Sequence, residues 1–109
     1  MALADRIRAA REQWVSAGGH EFLIRRPTDL QLSKFSVAPV SELVVSCVVG
    51  WKVPEHQLVA GGDAVVPVFD PEAFREWSGD HIEMLSELAD KVKEIIEQHQ
   101  EKKEALEKK

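Results

Sequence analysis

Residues 48–77 read VVGWKVPEHQLVAGGDAVVPVFDPEAFREW, and this stretch decides how the rest of the chain is organised. It contains two of the three tryptophans and places a turn at Gly61-Gly62-Asp63 between two apolar segments. A loop of this length inside a small domain is either functional or disordered. The apolar side chains of residues 64–69, AVVPVF, argue against disorder, because disordered segments are poor in them. We therefore expect an ordered, functional loop.

The end of this stretch predicts an extended strip followed by a helix. Pro67 lacks a backbone N–H and is excluded from a central strand, so the strip is expected to pack on its own helices or on another chain. Asp70-Pro71-Glu72 combines a capping residue, a proline at the first helical position and a carboxylate in the first turn. The helix that follows is expected to bury Phe74 and Trp77 and to end at Ser78-Gly79.

Residues 81–100 carry apolar side chains at helical spacing, which predicts a long C-terminal helix packed on the central apolar segment. The stripe consists of Ile82, Leu85, Leu88, Ala89, Val92, Ile95 and Ile96. Charged residues dominate after Ile96. We therefore expect residues 1–98 to form a single helical domain and residues 99–109 to form a charged helical or frayed tail.

The N-terminal residues predict a docking helix followed by a short strand. Residues 2–17 place Leu3, Ile7, Ala10 and Trp14 at helical spacing, and Gly18-Gly19 is expected to end this helix as a C-cap. Residues 20–26, HEFLIRR, predict a short strand or extended segment before Pro27. Thr28 then predicts the cap of a short helical turn through residues 28–35.

Residues 41–51, SELVVSCVVGW, are ambiguous on their own side chains. Four β-branched valines favour a buried strand. Ser41 as a helix cap, together with apolar residues at positions 44, 48 and 51, favours a buried helix instead.

Charge and length restrict the possible functions. The chain has 109 residues, 44% of them hydrophobic, and a net charge of −5, which predicts one folded domain without nucleic acid as a partner. Residues 1–34 carry six Arg and Lys against four Asp and Glu, whereas residues 35–109 carry eight against fifteen, so the two parts have charges of +2 and −7. This polarity favours head-to-tail self-association into rings or spirals, although a solvated acidic helix is the more common reason for such a pattern.

No set of residues predicts catalysis, a metal site or a cofactor. Cys47 lies in an apolar run, and His56 is the only nearby candidate base, so we expect a core thiol. Glu55, His56, Asp63 and Asp70 lack a second His or Cys at ligand spacing. A lone cysteine, no signal peptide and no run of about twenty apolar residues predict a protein of a reducing cytoplasm without membrane association.

An apolar segment ends in Gly50-Trp51, a loop follows and ends in the Val-Pro-x-Phe segment, and two helices come after it. This order of features resembles that of the tail assembly chaperones of long-tailed bacteriophages. Residues 22–28, FLIRRPT, fit the same pattern, and the similarity spans residues 21–96. The resemblance favours a helix over residues 41–51. It implies a mainly α fold: a small single domain of about four to five helices with a short extended or β segment, a long apolar loop and a long C-terminal helix.

The resemblance also implies a function. Such chaperones bind the tape-measure protein in the host cytoplasm, help to recruit tail-tube subunits, and are absent from the mature virion. A frameshifted longer form commonly binds the tube subunits, and the Lys102-Lys103 and Lys108-Lys109 pairs suit a slippery site. We expect a non-enzymatic homo-oligomer whose partner or neighbour contacts are Val65, Val66, Val68 and Phe69, with Arg25 and Arg26 as rim charges. The alternative is a generic helical adaptor or regulatory protein that homodimerises through residues 82–96.

Overall fold

The computed structural model describes residues 2–34 and 40–107, and Phe35, Lys108 and Lys109 lie outside them. Within that part of the chain, six helices and three strands follow one another. They are α1 (Leu3–Ala9), β1 (Glu12–Ala17), β2 (His20–Arg25), α2 (Asp29–Lys34), α3 (Val40–Cys47), β3 (Val48–Trp51), α4 (Glu55–Leu58), α5 (Pro71–Ser78) and α6 (Ile82–Glu107). The strands form one antiparallel sheet in the order β1-β2-β3. The expectation of a mainly α fold with four to five helices is therefore wrong, because the fold is mixed α/β.

The predicted helix over residues 2–17 is also wrong. The helix stops at Ala9, and residues 12–17 form the first strand. Gly18 and Gly19 have φ values of 58° and 81°, and they connect Ala17 to His20, which pair across the hairpin. A two-residue turn with positive φ at both positions matches the right-handed twist of the flanking strands. The two glycines therefore close a β-hairpin and do not cap a helix.

The ambiguous segment divides between the two predicted structures. α3 ends at Cys47, and β3 begins at Val48 and pairs with β2. A β-carbon added at Gly50 would lie 3.0 Å from Cβ of Leu23 on the neighbouring strand. The glycine thus permits a close approach of β3 to β2, and the helix predicted through Trp51 is wrong for the last four residues.

Two predicted helix starts are confirmed by their capping contacts. The backbone N–H of Gln31 donates to Oγ1 of Thr28 at 3.1 Å, and the N–H of Thr28 donates to Oε1 of Gln31 at 2.9 Å. At α5 the N–H of Glu72 donates to Oδ1 of Asp70 at 3.0 Å. Each cap satisfies a backbone N–H group that has no partner inside the helix.

The core lies between the sheet and α3, α5 and α6. Phe22, Phe74 and Leu88 are fully buried within it. The rings of Phe22 and Phe74 meet edge to face with centroids 5.7 Å apart, and Trp51 meets Phe74 at 6.5 Å. The core thus joins β2, β3 and α5 through one aromatic cluster. The long loop begins and ends beside this cluster.

The long helix α6 packs its stripe inward, as predicted, with one exception. Met84, Leu88 and Val92 are buried, whereas Ile82 is exposed. Residues 99–107, expected as a charged helical or frayed tail, continue the helix. Nζ of Lys103 donates to the carboxylate of Asp29 at 2.5 Å, and Nε2 of His99 lies 3.6 Å from the same carboxylate. α2 therefore contacts the C-terminal part of α6.

Candidate functional site

Three valines of the long loop form an exposed apolar surface, which we call the valine strip. Val65, Val66 and Val68 are 71%, 43% and 92% exposed. Large apolar side chains on a surface are ordinary when scattered singly, whereas a large contiguous patch is a candidate interaction site. The strip is the apolar loop surface that the sequence predicts, and three of the six predicted contact residues form it.

Hydrogen bonds at the base of the loop hold the strip in place. The backbone N–H of Glu55 donates to the carbonyl of Val65 at 3.0 Å, and the N–H of His56 donates to the carbonyl of Asp63 at 2.8 Å. The N–H of Asp63 donates to Oε1 of Glu55 at 3.0 Å. On the other side of the strip, Nε1 of Trp51 donates to the carbonyl of Pro67 at 2.9 Å. The loop is therefore ordered although its surface is apolar.

A groove of about 540 Å³ opens beside the valine strip, between the loop and α5. Its apolar lining comes from Trp51, Leu58, Val59, Pro67, Val68, Ala73 and Trp77. The charged residues that line it, Glu55, Asp70, Glu76 and Asp80, are all acidic. The site thus combines a protruding apolar strip with an apolar groove that has an acidic rim.

Phe69, predicted as a contact residue together with the three valines, lies largely inside the core. Its ring meets Trp51 at 5.0 Å and Phe74 at 6.1 Å between centroids. It is only partly exposed. The alternation of an extended segment places Val68 and Phe69 on opposite sides, so Phe69 holds the strip to the core while Val68 faces outward.

The two predicted rim arginines lie in different places. Arg25 lines a cavity together with Phe69, and its Nη2 lies 3.2 Å from Oε1 of Glu12. Arg26 is the next residue in the chain and lines a different cavity together with Arg11 and His99, and its Nη1 donates to the carbonyl of Pro27 at 3.0 Å. Burial and the nearby charge of Arg11 lower the pKa of Arg26. The structure therefore brings one of the two arginines near the loop.

The candidate nucleophile and metal ligands do not form a reactive centre. Cys47 is buried, and its burial raises the pKa of the thiol to about 11. The nucleophile of cysteine chemistry is the thiolate, so a thiol with a raised pKa is inert at neutral pH. In residues 2–34 and 40–107, no group of three or more His, Cys, Asp or Glu is placed to hold a metal ion.

Sequence reasoning missed the groove and the exposure of α1. The groove forms because α4 folds Leu58 and Val59 toward α5, and a four-residue helix has too little periodicity to be recognised. A weak signal was present in Glu55, a carboxylate in the first turn of the helix. Trp77, predicted to be buried, lies at the groove and is partly exposed.

Replacing Trp51 by phenylalanine is expected to loosen the loop. The change removes the hydrogen bond to Pro67 and leaves a small void, so the free energy of unfolding should fall by about 1–3 kcal/mol. The backbone amides of Glu55 and His56, which donate to carbonyls of the loop, should exchange with solvent faster than in the parent chain. Trp14→Phe is the matched control at an exposed tryptophan, and it should stay within about 0.5 kcal/mol of the parent. If both changes lower the free energy of unfolding equally, the hydrogen bond from the indole of Trp51 to Pro67 does not hold the loop.

No protein-family model, curated protein or solved structure matches this chain. Every helix within residues 2–34 and 40–107 is too short or too polar to span a membrane.

Proposed function

We propose that this chain is a tail assembly chaperone of a long-tailed phage, which binds the tape-measure protein through the valine strip. The observation that carries the proposal is the exposure of Val65, Val66 and Val68 on a loop held by hydrogen bonds at both sides. An ordered loop does not need exposed valines for its own stability. Their presence at the surface is explained by a partner that covers them.

The size of the strip suits the proposed role. A few valines bury little area, and binding to one copy is therefore weak. Several copies along an extended helical tape-measure protein gain affinity from multivalency, and each contact can still dissociate when tube subunits replace it. In this proposal the chain is a non-enzymatic homo-oligomer of the host cytoplasm, a frameshifted longer form recruits the tail-tube protein, and the mature virion lacks both.

The adaptor hypothesis requires a different surface. It assigns homodimerisation to the apolar stripe of residues 82–96, but Leu88 and Val92 of that stripe are buried in the chain's own core. Ile82 remains as an exposed aliphatic side chain of the stripe. The valine strip exposes three aliphatic side chains where the stripe exposes one within the described residues, and this favours the chaperone proposal.

The proposal is tested by co-expression with the tape-measure protein encoded in the same genome. The double variant Val65→Asp, Val66→Asp should bind the tape-measure protein at least about tenfold more weakly, because two apolar contacts become charged. The amount of soluble tape-measure protein that co-purifies is measured. The parent chain should keep it soluble, and the variant should leave it in the insoluble fraction.

The matched control carries two aspartates at exposed leucines elsewhere, Leu30→Asp and Leu106→Asp. Leu30 and Leu106 are 69% and 72% exposed, close to Val65. This control should retain tape-measure binding. A parent chain that leaves the tape-measure protein insoluble, or two variants that bind it equally well, would contradict the proposal.

A further inference from the structure

α1 is an amphipathic helix that buries none of its residues in the part of the chain that the structure describes. All seven of its residues are exposed, including Leu3 at 69% and Ile7 at 52%. These two side chains are four residues apart and share one face of the helix. An isolated helix this short is marginal in water, because helix formation needs tertiary packing for its stability. We therefore expect the apolar face of α1 to pack on another surface.

The groove beside the valine strip has complementary chemistry. Its lining is apolar, and Glu76 and Asp80 at its rim form no ion pair with any residue that the structure describes. α1 carries Arg6 and Arg8, and Arg11 follows it. Arg8 pairs with Asp5, whereas Arg6 has no carboxylate partner within residues 2–34 and 40–107. A basic helix with two aliphatic side chains thus matches an apolar groove with an acidic rim.

The groove is out of reach of α1 of the same chain. Ala10 and Arg11, which follow α1, line a cavity together with His99 and Lys102 near the C-terminal end of α6. The groove lies at Asp80, just before the start of α6. At a rise of 1.5 Å per residue, the part of α6 between these places spans roughly 25 Å, whereas α1 itself is only roughly 10 Å long. The occupant must therefore come from another molecule.

We propose that the groove binds α1 of a second copy of this chain. Leu3 and Ile7 of one copy insert between the loop and α5 of the next, and Arg6 lies at Glu76 and Asp80. Two different surfaces meet in this contact, so it is heterologous and extends into a ring or an open helical array. The inference uses only surfaces of this chain and does not rest on tape-measure binding.

Two variants, each with one blocked surface, provide the test. Ile7→Asp places a carboxylate on the apolar face of α1, and Val59→Arg with Glu76→Arg fills the groove with positive charge. Each variant alone should associate roughly 10–100-fold more weakly than the parent chain, which follows from the loss of one buried aliphatic contact. Sedimentation velocity of the purified chain over a range of concentrations measures this. Because charged groups meet at the rim, association of the parent should also weaken as salt is raised.

Mixing the two variants gives the decisive result. The Ile7→Asp copy keeps an intact groove, and the groove variant keeps an intact α1, so the mixture should form a one-to-one dimer that does not grow further. An isologous interface would not produce this complementation. If the two mixed variants form no dimer, the proposal is overturned. A parent chain that is monomeric at all concentrations would also overturn it, even if the groove then bound a basic helix of another protein. Circular dichroism melting of each variant checks that the fold is retained.

The outcomes for self-association and for tape-measure binding are separable. Val65 and Val66 lie outside the groove lining, so the double variant at these positions should still self-associate. Loss of oligomers in that variant would contradict the assignment of the interface to the groove. The sedimentation experiment contains no phage partner, so its result does not depend on whether the chain is a chaperone.

Discussion

Replacing Phe74 by alanine is expected to lower the free energy of unfolding by about 3–5 kcal/mol. Phe74 is fully buried and is the ring that connects the parts of the aromatic cluster. Its centroid lies 5.7 Å from Phe22, 6.1 Å from Phe69 and 6.5 Å from Trp77. Alanine would leave a cavity with walls formed by the sheet, the loop and α5. Because small domains are stable by only about 5–15 kcal/mol, this one change should remove a large part of the total.

Urea denaturation followed by tryptophan fluorescence measures the effect. Phe74→Leu serves as a graded control, since a leucine fills most of the cavity and should lose less stability than alanine. Val68→Ala, at the exposed end of the valine strip, should change stability by no more than about 0.5 kcal/mol. A loss below about 1 kcal/mol for Phe74→Ala would mean that the core does not depend on this ring.

Replacing Leu88 by alanine should lower the free energy of unfolding by about 2–5 kcal/mol. Leu88 is fully buried at the middle of the stripe on α6, which packs on α3 and β1. The loss should be the same at every protein concentration, because the contacts lie within one chain. A dimer held by the same stripe would instead raise the unfolding midpoint with concentration.

The comparison is best made in the Ile7→Asp background, where the proposed contact between copies is absent. Ile82→Ala is the matched control on the same helix, because Ile82 is exposed and its truncation should stay within about 0.5 kcal/mol. A midpoint that rises with concentration in this background, together with a large effect of Ile82→Ala, would favour the adaptor hypothesis.

Elements with strong local signals could be predicted from the sequence. The cap at Asp70, the cap at Thr28 and the stripe of α6 each depend on residues close together in the chain, and the structure has all three. The strand before Pro27 was also predictable, because proline restricts the residue before it. These signals do not depend on what the rest of the chain does.

The fold class could not be predicted, because its deciding feature supports two interpretations. Gly18-Gly19 suits a helix C-cap and a hairpin turn alike, and Leu3, Ile7 and Trp14 match a helical period by chance. Pairing of residues 12–17 with β2 decides between them, and this pairing is a tertiary contact. The same holds for the candidate site: apolar loop residues were visible in the sequence, but the groove depends on how α4 and α5 meet.

The hydrogen bonds that close the long loop also determine when its conformational entropy is lost. Bonds from Glu55 to Val65 and from Trp51 to Pro67 restrict the valine strip as soon as the chain folds. A partner therefore meets a surface that is already ordered, and ordering of the loop adds no cost to binding. Binding to such a surface should be fast, and the small apolar area should make dissociation fast as well. In the proposed function, the loop thus favours rapid exchange of partners over long residence on any one of them.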